Sequence, residues 1–471
     1  MINFKRIIYI FFLNKIVAMK YILSSLLLFA IAAPLFAQNN SISFGGGEYV
    51  VPHTEDNCLS EEDRLEIRSQ LRINVEALRA EGKLNFSGDR EDVKFIWPLQ
   101  KATGFEWNSY YGISNYVDQN PAAPGLGDYH CDERTYEGHK GTDIFTWPFP
   151  WYIYENDLVE VIAGEEGVII NKADGFDDDH CECFGSWNAI YVQHADGSVA
   201  WYGHMKRGSL TDKEVGDDVS EGEFLGVVAS SGCSSGPHLH LEVYDADGGL
   251  IDPYAGDCND LNVDSWWETQ GDNREPTLNT ILTHDAAPEH GCPTINEDPH
   301  FSNDFYEGDE VFTAFYFHDG MVGSEMNCRI KMPDGTVWND WTFDLTGTYN
   351  ASWWYWSWFL PAEGPNGVWA LEADYEGETL VHEFNYGVYV GVKELDDSDI
   401  KIIPNPANTD LIQIAGIPIE NNIEFYDAAG KSIKSFSNDT FLNVADLAPG
   451  LYYVTVRFAD GATVVKKFVK N

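Results

Sequence analysis

Two imidazoles stand two positions apart in Ser230-Ser-Gly-Cys-Ser-Ser-Gly-Pro-His-Leu-His-Leu-Glu-Val-Tyr244. A strand sends successive side chains to opposite faces, so His238, His240 and Glu242 share one face. Leu239, Leu241 and Val243 take the other, where an apolar core can hold the strand. The imidazoles are left projecting together, into solvent or into a cleft. Two more places carry similar chemistry: Gly138-His-Lys-Gly-Thr-Asp143 sets His139 and Asp143 four apart, and Trp201-Tyr-Gly-His204 ends a strand in an imidazole. His139 and Asp143 share a face whether the chain is extended or helical there. Two His and one Asp fill three tetrahedral positions around Zn²⁺ and leave the fourth for water. Two further imidazoles are then free for proton transfer. Each histidine alone reads as a structural or surface residue; the five polar residues together, among glycines, read as a site.

In this order the motifs resemble the lysostaphin/LytM-type zinc endopeptidases of peptidase family M23, with their His-x-x-x-Asp, middle His and His-x-His. Val159-Glu-Val-Ile-Ala-Gly, Gly216-Asp-Asp-Val and Gly222-Glu-Phe-Leu-Gly look like that family's spacers, and the likeness runs over roughly residues 93–255. The resemblance implies that His139, Asp143 and His240 hold Zn²⁺ and that His204 and His238 are the catalytic pair, without saying which of the two is the base. Glu242 is a candidate to orient a ligand from behind. His130, thirteen positions before Asp143, competes with His139 in a longer-spaced variant, whereas His194, at a strand end before a turn, reads as structural. The implied activity is hydrolysis of peptide bonds in peptidoglycan cross-links or stem peptides. Gly-rich extracellular proteins such as elastin-like chains are the other substrate class. A non-catalytic wall-binding or activator protein is a third reading, and the presence of all five polar residues stands against it. Two insertions depart from the compact pattern, Trp147-Pro-Phe-Pro-Trp-Tyr-Ile-Tyr154 and Asp177-Asp-Asp-His-Cys-Glu-Cys183. Both are expected in loops, which commonly shape a substrate groove.

The elements that must position these residues are mostly β. Short runs rich in β-formers, punctuated by Gly, Asn and Asp, begin at Val93 and predict a compact antiparallel peptidase domain over residues 93–260. A polar linker is expected around residues 264–276. Residues 277–392 read as an Ig-like β-sandwich. In it, Trp353-Trp-Tyr-Trp-Ser-Trp358 supplies either a core face or a sugar-stacking surface. Upstream, residues 60–82 are the one convincing helix, capped by Ser60 with Asp63 three residues on and stopped at Gly82. Leu65, Leu71, Val75 and Leu78 recur along it at helical spacing. Residues 38–92 are therefore a helical pro-region or an N-terminal brace.

The chain is 471 residues long with a formal net charge of −47, which excludes nucleic acid and an anionic membrane surface as partners. From Met19 a Lys, an apolar run and Leu35-Phe36-Ala37 form a signal peptide ending at residue 37, so no stable membrane span is expected after its removal. Export makes disulfides plausible for the eight cysteines, and Cys181-Glu-Cys183 reads as one or two disulfide ends in a loop. Residues 401–471 hold seven Lys/Arg and seven Asp/Glu, against the acidic chain before them. Ile403-Pro-Asn-Pro-Ala407, Leu447-Ala-Pro-Gly-Leu-Tyr-Tyr452 and the closing Lys466-Lys-Phe-Val-Lys470 make residues 399–471 resemble the sorting domain of cargo for the type IX secretion machinery. That likeness implies a small β-sandwich and release outside the cell or attachment to its outer surface.

Overall fold

The computed structural model describes residues 41–51, 58–84, 93–119, 126–292, 297–387, 400–415, 421–427, 430–437, 440–458 and 463–471. The signal segment, residues 1–37, and the composition break at residues 394–398 lie outside these. The architecture is antiparallel β, as the sequence leads one to expect. The main sheet of the histidine-bearing domain runs in the order Tyr111–Asn115, Thr142–Thr146, His238–Tyr244, Val199–Gly203, Ala189–Gln193, Gly167–Ala173, Asp218–Val219. A smaller sheet of Phe224–Val227, Val159–Ile162 and Leu99–Lys101 lies beside it. Leu239, Leu241 and Val243 enter a core with Ile144, Ile190, Val192 and Tyr202. This apolar face fixes the pleat of the histidine strand, because a slip of one residue would turn every side chain over.

Register then aligns the chemistry. His240 lies opposite Asp143 on one neighbouring strand and opposite Gly203 on the other, which brings His204 to the same end of the sheet. Two glycines make room for this. A Cβ on Gly141 would stand 2.6 Å from His240 Nε2, and one on Gly203 would stand 2.2 Å from the Trp187 ring. His204 itself has φ +63°, a left-handed backbone that a non-glycine residue adopts only under surrounding constraint.

The N-terminal helix spans Glu61–Ala80, with Ser60 and Asp63 forming a reciprocal capping box and Gly82 at φ +73° beyond its end. Leu71 and Leu78 pack with Ile170, Tyr191, Trp201 and Tyr244 on the face of the main sheet that also carries His240 and Glu242. Leu65 does not join them: it is exposed, and the neighbouring Arg64 is buried instead. Helical spacing located the apolar face but not the charged residue beside it. Upstream of the helix, Phe44–Glu48 pairs with Ala351–Phe359 as the edge strand of the sandwich.

The sandwich stacks that strand, Ala351–Phe359, Glu310–His318 and Thr277–His284 on a second sheet of Asp304–Phe305, Glu378–Tyr386, Gly367–Tyr375, Glu325–Lys331 and Val337–Asp344. Trp354, Trp356 and Trp358 fill its core, while Trp353 and Tyr355 pack toward Phe145, Trp147 and Phe149 of the histidine-bearing domain. The aromatic run is thus packing on both sides. Trp147-Pro-Phe-Pro-Trp-Tyr-Ile-Tyr154 departs from the loop expected there. Trp147 and Phe149 are buried against Tyr316 of the sandwich, and Pro150–Glu155 forms a short helix. The polar segment 264–276 is packed only in part: Trp266 and Trp267 enter the core behind the histidine strand, while Asp264, Glu268, Asp272 and Glu275 stay exposed. Arg134 forms a buried ion pair with Asp319 across this junction, 2.6 Å apart. The last residues form two small sheets, of three and four strands, around Ile412, Phe425, Val454 and Phe468.

Candidate metal centre

His139, Asp143 and His240 converge in the structure. His139 Nε2 is 3.1 Å from Asp143 Oδ2, His240 Nδ1 is 2.7 Å from Asp143 Oδ1, and the two ring nitrogens are 3.4 Å apart. One donor atom from each residue lies within 4.8 Å of the others, and all three side chains are buried. His130 does not compete: it is exposed and pairs with Asp132.

The second nitrogen of each ring identifies what the first can do. His139 Nδ1 donates to the Tyr116 carbonyl at 2.7 Å, leaving the Nε2 lone pair facing Asp143. His240 Nε2 donates to Glu242 Oε1 at 2.9 Å, leaving Nδ1 as the inward donor atom. His204 Nδ1 donates to the Ser231 carbonyl at 2.5 Å, and His238 Nδ1 to the Gly236 carbonyl at 2.8 Å. His238 Nε2 then lies 3.6 Å from Asp143 Oδ1, and the His204 and His238 rings sit 4.4 Å apart. Such outer hydrogen bonds fix tautomer and ring direction in metal sites. Two imidazole lone pairs and a carboxylate aimed at one point fit a divalent metal of intermediate softness, with one position left over.

Electrostatics follow the same layout. Burial alone would raise the Asp143 carboxyl, but His139 and His240 hold it well below the usual carboxylate range. Glu242 is also buried, and its bonds to His240 and Arg64 bring it down to about 2. Burial lowers His204 and His238, keeping both neutral and able to accept a proton.

The acidic insertion is a brace for the turn carrying these partners. Cys183 is bonded to Cys233 and Cys181 to Cys292; a third disulfide joins Cys131 and Cys258. His180 Nδ1 donates to the Gly232 carbonyl at 2.6 Å, and Ser230 Oγ to the His180 carbonyl at 2.6 Å. His194 is structural, donating to the Glu166 carbonyl at 2.8 Å.

Two residues that sequence reasoning missed also reach the site. Arg64 forms a buried ion pair with Glu242, behind His240. Cys58 Sγ lies 2.9 Å from His204 Nε2 and groups with His204 and His240 as a second set of three possible ligands. Cys58 was legible only as one of eight candidate half-cystines; its distance in sequence from the histidines hid its place.

Residues 138–253 match Peptidase family M23, and residues 401–471 match the Secretion system C-terminal sorting domain. Among curated proteins, 116 residues are 33% identical to the cell division protein DipM of Caulobacter vibrioides, covering 22% of this chain and 18% of that protein. A further 58-residue match, 40% identical, is to the DD-carboxypeptidase/endopeptidase Mpg of Neisseria meningitidis serogroup B, covering 12% and 13% respectively. The chain spans less than a fifth of the length of either relative. Among solved structures, a point mutant of the catalytic domain of the prophage-encoded M23 protein EnpA from Enterococcus faecalis aligns with 34% of this chain and 95% of its own. That match has 22% identity and a TM-score of 0.21. A putative peptidase M23 from Pseudomonas aeruginosa aligns over 39% and 60%, at 19% identity and a TM-score of 0.21.

Proposed function

Residues 138–253 are a peptidase family M23 domain and residues 401–471 a sorting domain for export, and from that premise we propose that this chain is a secreted or surface zinc endopeptidase that cleaves peptide bonds of peptidoglycan. The observation that carries the reading is the convergence of His139, Asp143 and His240, each imidazole held by its other nitrogen. Those three residues would hold the metal. Zinc bound there supplies Lewis acidity, lowering the pKa of water toward neutrality and polarising a carbonyl. His204 and His238, neutral and anchored through Nδ1, present Nε2 to the cleft. Between them they take the proton of the attacking water and hydrogen-bond the carbonyl oxygen as it gains charge. The Ser231 and Gly236 carbonyls hold both rings in their directions. The names of the two curated relatives, a cell division protein and a DD-carboxypeptidase/endopeptidase, support a bacterial wall peptide as substrate over a Gly-rich, elastin-like extracellular protein.

The test is digestion of purified peptidoglycan and of elastin by the mature protein, with products read by mass spectrometry, repeated with chelator and with His204→Ala. New muropeptides that disappear under both treatments are expected. Cleavage that survives both would overturn the metal mechanism, and cleavage of elastin alone would replace the substrate.

A further inference from the structure

The N-terminal segment reaches the candidate catalytic cleft in two described stretches. Its strand Phe44–Glu48 is fixed on the sandwich edge, and Tyr49 and Val51 line the same cavity as Asp143 and His238. Cys58 lines that cavity too, immediately before the helix that Arg64, Leu71 and Leu78 hold to the histidine-bearing face of the sheet. Each of the two described stretches is thus anchored to the body of the protein, and the Cys58 thiol stands at the reacting groups.

That thiol is unusual in its company. Six of the eight cysteines are paired in disulfides, and the chain is exported. Cys58 stays free and buried, 2.9 Å from His204 Nε2, and its sulfur groups with donor atoms of His204 and His240. His240 belongs to both possible ligand sets. The sulfur therefore lies beside the three-residue centre, on the side where the proton-accepting nitrogen looks in.

We propose that Cys58 is an inhibitory ligand: its thiolate takes the position left free by His139, Asp143 and His240, and the chain is exported as a latent peptidase. The assignment rests on the metallopeptidase reading above. Binding breaks the S–H bond and forms a sulfur–metal bond; His204 Nε2 is the nearest acceptor for the released proton. The ligand excludes water from the metal and occupies the base. Activation requires Cys58 to leave the metal, by proteolysis or by modification of the thiol. An intramolecular ligand competes at an effective concentration on the order of millimolar, so its loss should raise activity of the full chain by about tenfold or more.

The experiment uses the full mature chain and its Cys58→Ser and Cys58→Ala variants, each checked for folding by circular dichroism and thermal melting. Cobalt replaces the native metal, because a thiolate ligand gives an intense near-ultraviolet charge-transfer band. The band is expected in the unmodified chain and absent from both variants. Alkylation of Cys58 by iodoacetamide should be slow with metal bound and fast after chelation, a measurement that needs no variant. Absence of the thiolate band, together with alkylation indifferent to metal, would overturn the proposal. If the variants cleave peptidoglycan no faster than the unmodified chain, and no band is seen, the inhibitory ligand fails while the peptidase reading stands. If the band is present and no form cleaves any peptide, the ligand stands and the catalytic reading fails.

Discussion

Arg64, on the N-terminal helix, and Glu242, on the strand that carries His240, form an ion pair sealed from solvent. Glu242 also accepts from His240 Nε2 and from the Tyr244 hydroxyl. One carboxylate therefore ties the N-terminal helix to a proposed metal ligand. Removing one partner of a buried pair typically costs about 3–5 kcal/mol, because the other charge stays unpaired. Arg64→Met should lower the melting temperature measurably. Glu242→Ala, which frees the His240 ring, should weaken metal affinity by about 10–100-fold in a chelator competition. An unchanged affinity in Glu242→Ala would mean that packing alone orients His240.

Gly141 offers a sharper probe of the same ring. An added Cβ would meet His240 Nε2 at 2.6 Å and the Leu241 carbonyl at 2.8 Å, closer than real contacts allow. Gly141→Ala should displace His240 and break its bond to Glu242. The expected result is a loss of bound metal, measured by elemental analysis, with the far-ultraviolet spectrum of the sheet retained. Full metal occupancy in a folded variant would show that the strand yields elsewhere.

Much of this centre was legible because strand alternation and short motifs are local. His238, His240 and Glu242 share a face by pleat alone, and the glycines at 138 and 141 marked His139 over His130. What sequence could not supply were contacts between distant segments. Arg64 lies 178 positions from Glu242 and Cys58 lies 146 from His204, so no periodicity links them. Leu65 misled for a related reason: an apolar residue at helical spacing looks buried until the partner surface shows that it prefers Arg64. Trp147-Pro-Phe-Pro-Trp read as a loop because it is an insertion in the compact pattern, yet Trp147 and Phe149 pack on the sandwich.

His290 sets a pH dependence at that junction. Its ring stacks on Phe149 and Trp147 at 4.8 and 5.1 Å, and neither ring nitrogen has a hydrogen-bond partner among the described residues. Burial of the ring lowers its pKa from 6.5 to about 3. The folded state thus resists a proton that the unfolded state accepts. This contribution is fully present above about pH 6.5 and is lost as pH falls toward 3, at up to about 1.4 kcal/mol per pH unit. His290→Phe should flatten the acid side of the stability profile in urea titrations from pH 7 to 4. A variant with the same acid slope would place the lability at His284 or His318, which burial also depresses, to about 3 and about 4.

The disulfide between Cys183 and Cys233 should act on catalysis more than on metal binding. It closes a loop of 50 residues, for which chain entropy gives about 4 kcal/mol of stabilisation. Its second effect is local. Cys233 stands in the turn whose Ser231 and Gly236 carbonyls anchor His204 and His238. The three proposed metal ligands take their anchors elsewhere, from Tyr116, Asn115 and Glu242. A Cys183→Ser/Cys233→Ser double variant leaves neither member of the pair as a new free thiol. It is expected to melt earlier, retain metal and lose kcat by about 10-fold or more as the two imidazoles lose their fixed direction. Measuring kcat below the new melting point separates this from unfolding. A kcat equal to that of the unmodified protein would show that the remaining bonds to His180 hold the turn without the disulfide.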